Sequence, residues 1–214
     1  MEQTILGLAT MVMAIASQPA ELSVSALMMV EQKQVLAKKE LDLTKRLPTE
    51  YGAGVFSDNI LLSLHYLKGD ISQIRQMGQI NWDEARKPFT VEFILKPNEV
   101  FAFHDNVLKD FQNPKVTMHS KFFMDEGYLA LNGLGGNGVC HLASLINWVA
   151  QEAGLKVIVK VNHDFYPVPG VPRQYGTAIM STDQNQNLYI KNDLHKPAKL
   201  IFTTDQKKVA LEIW

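Results

Sequence analysis

Cys140 is the only cysteine of the 214-residue chain, and it follows the run Gly133-Leu134-Gly135-Gly136-Asn137-Gly138-Val139. The residues after that run predict a helix from about 139 to 153, ended by Gly154. The thiol would therefore stand in the first helical turn, where free amides and the helix dipole favour a thiolate. On a wheel of about 100° per residue, Leu142, Leu145, Ile146, Val149 and Ala153 form one stripe. Cys140, Ser144, Asn147 and Gln151 fall opposite it, so the cysteine is off the core stripe of its own helix. Such a thiol needs a base, and His163, directly after a predicted strand at 156–161, is the best placed of the six histidines. The chemistry would be acyl transfer or amide hydrolysis. Cys140 would be the nucleophile and His163 general base and then acid, with the backbone around Gly135, Gly136, Gly138 and Val139 holding an oxyanion. The spacing suits a structural cysteine equally well, since a lone cysteine is usually a small buried hydrophobe.

Other chemistries fit less well. Gly133, Gly135 and Gly138 match G-x-G-x-x-G, with Asp164 beyond the next strand, but the repeated βα alternation of a dinucleotide fold is missing. No Lys follows Gly138, which excludes a P-loop. His141, His163 and Asp164 have no metal-ligand spacing of known type, so neither a metal nor another cofactor is expected. His65, His104, His119 and His195 read as surface or satisfied structural histidines.

Around these residues the chain is ordinary globular material, 46% hydrophobic and 20% charged, enough to build a core without disulfides. Twenty-one Lys and Arg against 22 Asp and Glu give a net charge of −1, which argues against nucleic acid as partner. Lys38-Lys39, Lys45-Arg46 and Lys207-Lys208 read as solvated surface. Residues 4–16 are apolar on every side but span only about 20 Å as helix, too short for a bilayer. They fit the h-region of a signal peptide, although the preceding Met-Glu-Gln carries no Lys or Arg. A retained N-terminal helix would instead be buried or touch a membrane. Further predictions are a helix over 23–39, strands over 40–47, 91–95, 100–103, 177–180, 187–191, 199–203 and 208–213, and a second helix over 59–67 after a loop at 48–54. Residues 68–90 read as a polar insertion with at most one short helix. The predicted class is α+β, with a mostly antiparallel sheet packed on the central helix that begins at the glycine loop and Cys140.

Several collinear segments resemble the VanW-like family of bacteria, named from vancomycin-resistance gene clusters. They are Phe56-Ser-Asp-Asn-Ile60 with Leu61-Leu-Ser-Leu64, Lys96-Pro-Asn-Glu-Val-Phe-Ala-Phe103, Gly127-Tyr128 and Gly135-Gly-Asn-Gly-Val-Cys140. Asn162-His163 with Tyr166 and Pro169-Gly170, and Asn187-Leu-Tyr-Ile-Lys-Asn192, complete the series. His141, Asn137, Asp164, Tyr175 and Asn187 depart from the family pattern. The resemblance divides the chain into 1–22 (signal peptide or N-terminal helix), 23–47, and a VanW-like domain over 48–214 with the insertion at 68–90. It supports Cys140 and His163 and leaves the third group open: Asn187 could orient His163 through its amide oxygen, as could Asp183 or Asp193, and His141, Ser144, Asn147 and Tyr166 would wall a substrate groove. It implies a cell-envelope setting and a cell-wall peptide or glycopeptide as ligand. The protein would be extracytoplasmic or membrane-associated through its N-terminus; a buried N-terminal helix would fit a cytoplasmic protein. Two functions follow as expectations: a thiol-dependent acyl transferase or amidase, or a non-catalytic module binding glycopeptide or a partner protein.

Overall fold

The structure, a computed structural model, describes residues 34–214 apart from Leu134. The reading of residues 1–22, and the first part of the helix predicted over 23–39, lie outside the described residues.

The first described element is a strand, β1 (Ala37–Asp42), where the end of a helix was predicted. Ala37 and Leu41 turn inward, while Lys38 pairs with Glu212 and Glu40 with Lys208 across the neighbouring strand. The alternation that suggested a strand over 40–47 thus begins earlier and ends in a 3-10 turn, Leu43–Lys45. The predicted loop at 48–54 is helical from Glu50 onward. Helix α1 (Glu50–Lys68) starts where the Thr49 hydroxyl accepts from the Gly52 amide, and it stops at Gly69, with φ +78°.

Residues 68–90 contain more structure than expected: α2 (Ile71–Ile74), a hairpin of β2 (Arg75–Gln76) and β3 (Gln79–Ile80), and α3 (Trp82–Ala85). Two polar ties, anchored on the buried Asp58 and His65, hold them to α1. Arg86 forms a two-pronged pair with Asp58, at 2.8 and 2.7 Å, and His65 bonds Asp70 through Nδ1 and the Ala85 carbonyl through Nε2. His65 is therefore a satisfied structural histidine.

β4 (Thr90–Leu95) and β5 (Val100–Ala102) flank the Lys96–Glu99 turn as predicted but enter different sheets. β4 is an edge of a four-stranded antiparallel sheet with β8 (Ala198–Thr204), β9 (Lys208–Ile213) and β1. β5 belongs to a three-stranded antiparallel sheet with β7 (Leu188–Lys191) and β6 (Lys156–Val159). Helix α4 (Val139–Glu152) contacts β1 and β9 of the larger sheet and β6 and β7 of the smaller one. The α+β class and the central helix are as predicted. β6 pairs antiparallel with β7, so the glycine run does not open a parallel dinucleotide-binding unit.

The start of α4 is fixed by close approach of the backbone. Gly138 has φ +103°, and a β-carbon there would lie 2.5 Å from the Phe56 carbonyl oxygen of α1. Buried Asn59, also on α1, donates from Nδ2 to the Leu129 and Asn137 carbonyls, both at 2.9 Å, and its Oδ1 accepts from the Leu129 amide at 2.8 Å. Asn137 in turn accepts from the Leu131 amide. The glycine loop is therefore held in place by α1.

Gly138→Ala combines left-handed strain with that backbone collision and is expected to destabilise by about 2–4 kcal/mol. Gly54 on the exposed side of α1 has open space around its α-carbon. Gly54→Ala is expected to stabilise by about 0.5–1 kcal/mol through helix propensity. Urea unfolding of the two variants checks both signs.

Candidate functional site

A groove of about 560 Å³ runs past the N-terminus of α4. Gly135, Gly136, Gly138, Val139, Cys140, His141 and His163 line it, so seven of the predicted site residues are brought together. A second lobe of about 320 Å³ adjoins it and shares Phe56, Asn137, His141, His163 and Phe165; Tyr166 lines this lobe with Leu47 and Leu131. Phe123, Phe165, Tyr166 and Met180 are exposed at the rims, Phe165 by 80%. Across from the glycines stands Phe122, a buried aromatic with φ +64°, a conformation a bulky residue adopts only when its surroundings impose it. The Ser120 hydroxyl accepts from its amide, and Glu126 accepts from the amides of Lys121 and Phe123. Gly136 faces it at φ +69°, where a β-carbon would come within 3.0 Å of the Phe122 carbonyl oxygen.

Ser144 and Asn147 do not line the groove. They lie on the polar side of α4, but that side is covered by residues 175–179. The Thr177 amide donates to Ser144 Oγ at 3.0 Å, and Asn147 Nδ2 donates to the Tyr175 carbonyl and to Thr177 Oγ1 at 3.0 and 3.1 Å. Ser144 and Asn147 are respectively 0% and 2% exposed. The strand predicted over 177–180 is not formed: the Thr177 and Ile179 amides are spent on this helix, Ile179 donating to Cys140 Sγ at 3.4 Å, while those of Ala178 and Met180 donate to the Val161 and Gln186 carbonyls. A position off the core stripe thus does not mean exposure. The half-buried Cys140 packs beneath Ile179, and burial pushes its thiol up to about 11. The thiol is protonated at neutral pH, in spite of the helix N-terminus.

His163 is 6% exposed, and its Nδ1 lies 2.8 Å from the Tyr166 carbonyl. A carbonyl only accepts, so Nδ1 carries the hydrogen and neutral His163 presents a bare Nε2. Burial lowers its pKa, opposed by the Tyr166 carbonyl and the charge of Asp164. His141 is 2% exposed, and its ring lies against Phe56 at 5.0 Å and against His163 at 6.1 Å. Burial, then the charge of Arg46, then His163 push His141 down to about 3. Among the described residues no hydrogen bond joins Cys140 to either histidine.

Asn187 is not the third member of this group. It is 0% exposed and bonds His104: its Oδ1 accepts from the His104 amide, and its Nδ2 reaches His104 Nδ1 and the carbonyls of His104 and Asn106. Its other partner is the Leu188 amide, so it shapes the entry to β7. His104 Nε2 meets the Gln186 carbonyl, which completes a satisfied buried histidine.

Arg46 corrects the reading of the basic pairs as surface. It is 1% exposed, with Nε donating to the Asp42 carbonyl and Nη2 to the Pro169 carbonyl. Its sequence neighbours Lys45 and Leu47 gave no sign of this, because the partners are main-chain atoms. Phe165, between the histidine and the prolines, was the more legible omission: an exposed aromatic in a rigid loop. Among the described residues no group of three or more His, Cys, Asp or Glu is arranged to hold a metal ion. No described helix is long and apolar enough to cross a membrane.

Burial holds His104, His141 and His163 below the ordinary value of 6.5 in the folded protein. The unfolded chain takes up these protons first, so stability is expected to fall as pH drops below about 6.5. Each histidine contributes at most about 1.4 kcal/mol per pH unit. For His141 the loss continues to about pH 3. Urea midpoints measured from pH 7.5 to 4 should decline steadily, and His141→Gln should flatten the slope.

A family model described as "VanW like protein" matches residues 89–214, which include the groove residues from Lys121 onward, Cys140 and His163 among them. Helix α1, with Asn59, precedes the matched region. No curated protein and no solved structure gives a significant match. With more than half of its length matched by that model, the chain belongs to the VanW-like protein family.

Proposed function

We propose that this protein is a cell-envelope module that binds a short wall peptide or glycopeptide in the groove beside α4, without cleaving it. The hydrogen bond from the Ile179 amide to Cys140 Sγ carries this reading. It holds the sulfur under residues 178–180, in surroundings that keep the thiol protonated. A thiol with a pKa of about 11 is a weak nucleophile at neutral pH, where less than about 0.1% is thiolate. The groove has the properties of a binding site: aromatic and aliphatic walls from Phe56, Phe122, Phe165 and Ile179, backbone at the glycines, and two neutral imidazoles. The envelope setting rests on the family's association with vancomycin-resistance gene clusters.

One observation favours the second reading, a thiol acyl transferase or amidase. His163 shares the groove with Cys140 and presents a bare Nε2, the form a general base requires.

Soluble wall fragments titrated into the full chain separate the two. A binding module is expected to hold a fragment unchanged, with Cys140→Ala within about twofold of wild type and His163→Ala weakened about tenfold, roughly 1.4 kcal/mol. Iodoacetamide should modify Cys140 slowly below pH 9 and at the same rate in His163→Ala. Turnover of the fragment that disappears in Cys140→Ser would establish the enzyme instead.

A further inference from the structure

The two lobes of the groove differ in kind. Lys121 and the glycines before α4 line the larger lobe only. The smaller lobe, of about 320 Å³, is walled by Leu47, Phe56, Leu131, Phe165 and Tyr166, and among the described residues no Lys, Arg, Asp or Glu lines it. The rest of its lining is uncharged at pH 7: Asn132, Asn137, whose Oδ1 already accepts from the Leu131 amide, and the imidazoles of His141 and His163. A charged group placed there would leave water and meet no opposite charge. An apolar group would meet three aromatic side chains instead. An apolar cavity of about 150 Å³ already holds a benzene ring, so the lobe has room for a leucine or phenylalanine side chain, and a methyl group would fill little of it.

His163 stands where the lobes join, since it lines both. It is 6% exposed; Nδ1 is committed to the Tyr166 carbonyl, and Nε2 has no hydrogen-bond partner among the described residues. A ligand that covers this ring strips water from a bare acceptor, which is costly unless the ligand brings a donor. In a peptide residue the amide N–H and the side chain leave the same α-carbon. One residue can therefore fill the apolar lobe and supply the donor at its mouth. Phe165 also lines both lobes, lies against His163 at 4.1 Å between ring centroids, and is mostly exposed. It offers apolar surface that a ligand at this junction would bury.

We infer that the smaller lobe is a side-chain subsite, which takes an uncharged leucine- or phenylalanine-sized side chain of a peptide whose own amide N–H donates to His163 Nε2. The inference rests on the binding reading above and adds which residue of the peptide the groove selects. His163 then determines specificity by demanding a donor, and the aromatic walls by rejecting charge.

The test uses N-acetyl amino-acid methylamides of glycine, leucine, phenylalanine and glutamate, titrated into the full chain at pH 7 and followed by the ring signals of His163. The leucine and phenylalanine compounds are expected to bind at least about tenfold more tightly than glycine, and glutamate no more tightly than glycine. The ester analogue of the phenylalanine compound, with oxygen in place of the N–H, should bind about tenfold more weakly than its parent. In His163→Ala the parent and the ester should agree within about twofold. Phe165→Ala, at an exposed position, should lower the phenylalanine-to-glycine ratio roughly two- to fivefold even if His163→Ala does not fold. Equal affinity for glycine and phenylalanine, a glutamate compound as tight as leucine, or an ester as tight as its parent overturns the inference. If soluble wall fragments still bind, any of these results leaves the groove a binding site. Failure of both the amides and the wall fragments to bind overturns the two readings together.

Discussion

The groove depends on one buried amide. Asn59 reaches from α1 to the Leu129 and Asn137 carbonyls and takes the Leu129 amide in return. These bonds satisfy main-chain groups of a segment that pairs with no sheet, and without them the segment would leave polar atoms unpaired in the interior. They also bring α1 close enough that the Phe56 carbonyl excludes any side chain at position 138. Helix α4 then begins where it does because the chain can turn there only through a glycine. The direction of the helix N-terminus, and with it the position of Cys140 and His141, follows.

A second constraint determines what Cys140 can do. An amphipathic helix with a polar face is usually taken to show that face to water. In this protein residues 175–179 cover it, and its hydroxyl, carboxamide and thiol act as hydrogen-bond partners for an extended main chain. The arrangement is complementary on both sides: the segment turns alternate amides, at Thr177 and Ile179, to the helix instead of a neighbouring strand, and the helix gives up hydration. The helix dipole favours the thiolate by a modest amount, whereas enclosure of the sulfur disfavours it more strongly. Burial decides the ionisation state.

His163 shows the same logic with another outcome. Its contact with the Tyr166 carbonyl uses Nδ1 as donor and leaves Nε2 as the acceptor, so a loop rich in proline fixes a tautomer as well as a position. Beside it, His141 is neutral because it is enclosed and because Arg46 lies behind it. The groove therefore combines apolar walls, neutral imidazoles and a positive field. That combination suits the binding of a ligand better than generation of a strong nucleophile.

By itself the sequence determined the family, the α+β class, the central helix over 139–152 and the gathering of glycines, Cys140 and His163. Each is written in local terms: glycines at positive φ, a 3.6-residue apolar period, and short motifs in a fixed order. Tertiary structure alone decided the rest. The helical wheel separates Cys140 from the core stripe but carries no information on what packs against the other side. Asn187 and Ser144 have the right residue types for a site, yet their partners lie far along the chain, at His104 and Thr177. Arg46 reads as a surface charge because its partners are backbone carbonyls, at Asp42 and Pro169, which have no side-chain signature. Sequence determined which groups could meet, and burial decided which of them carry charge.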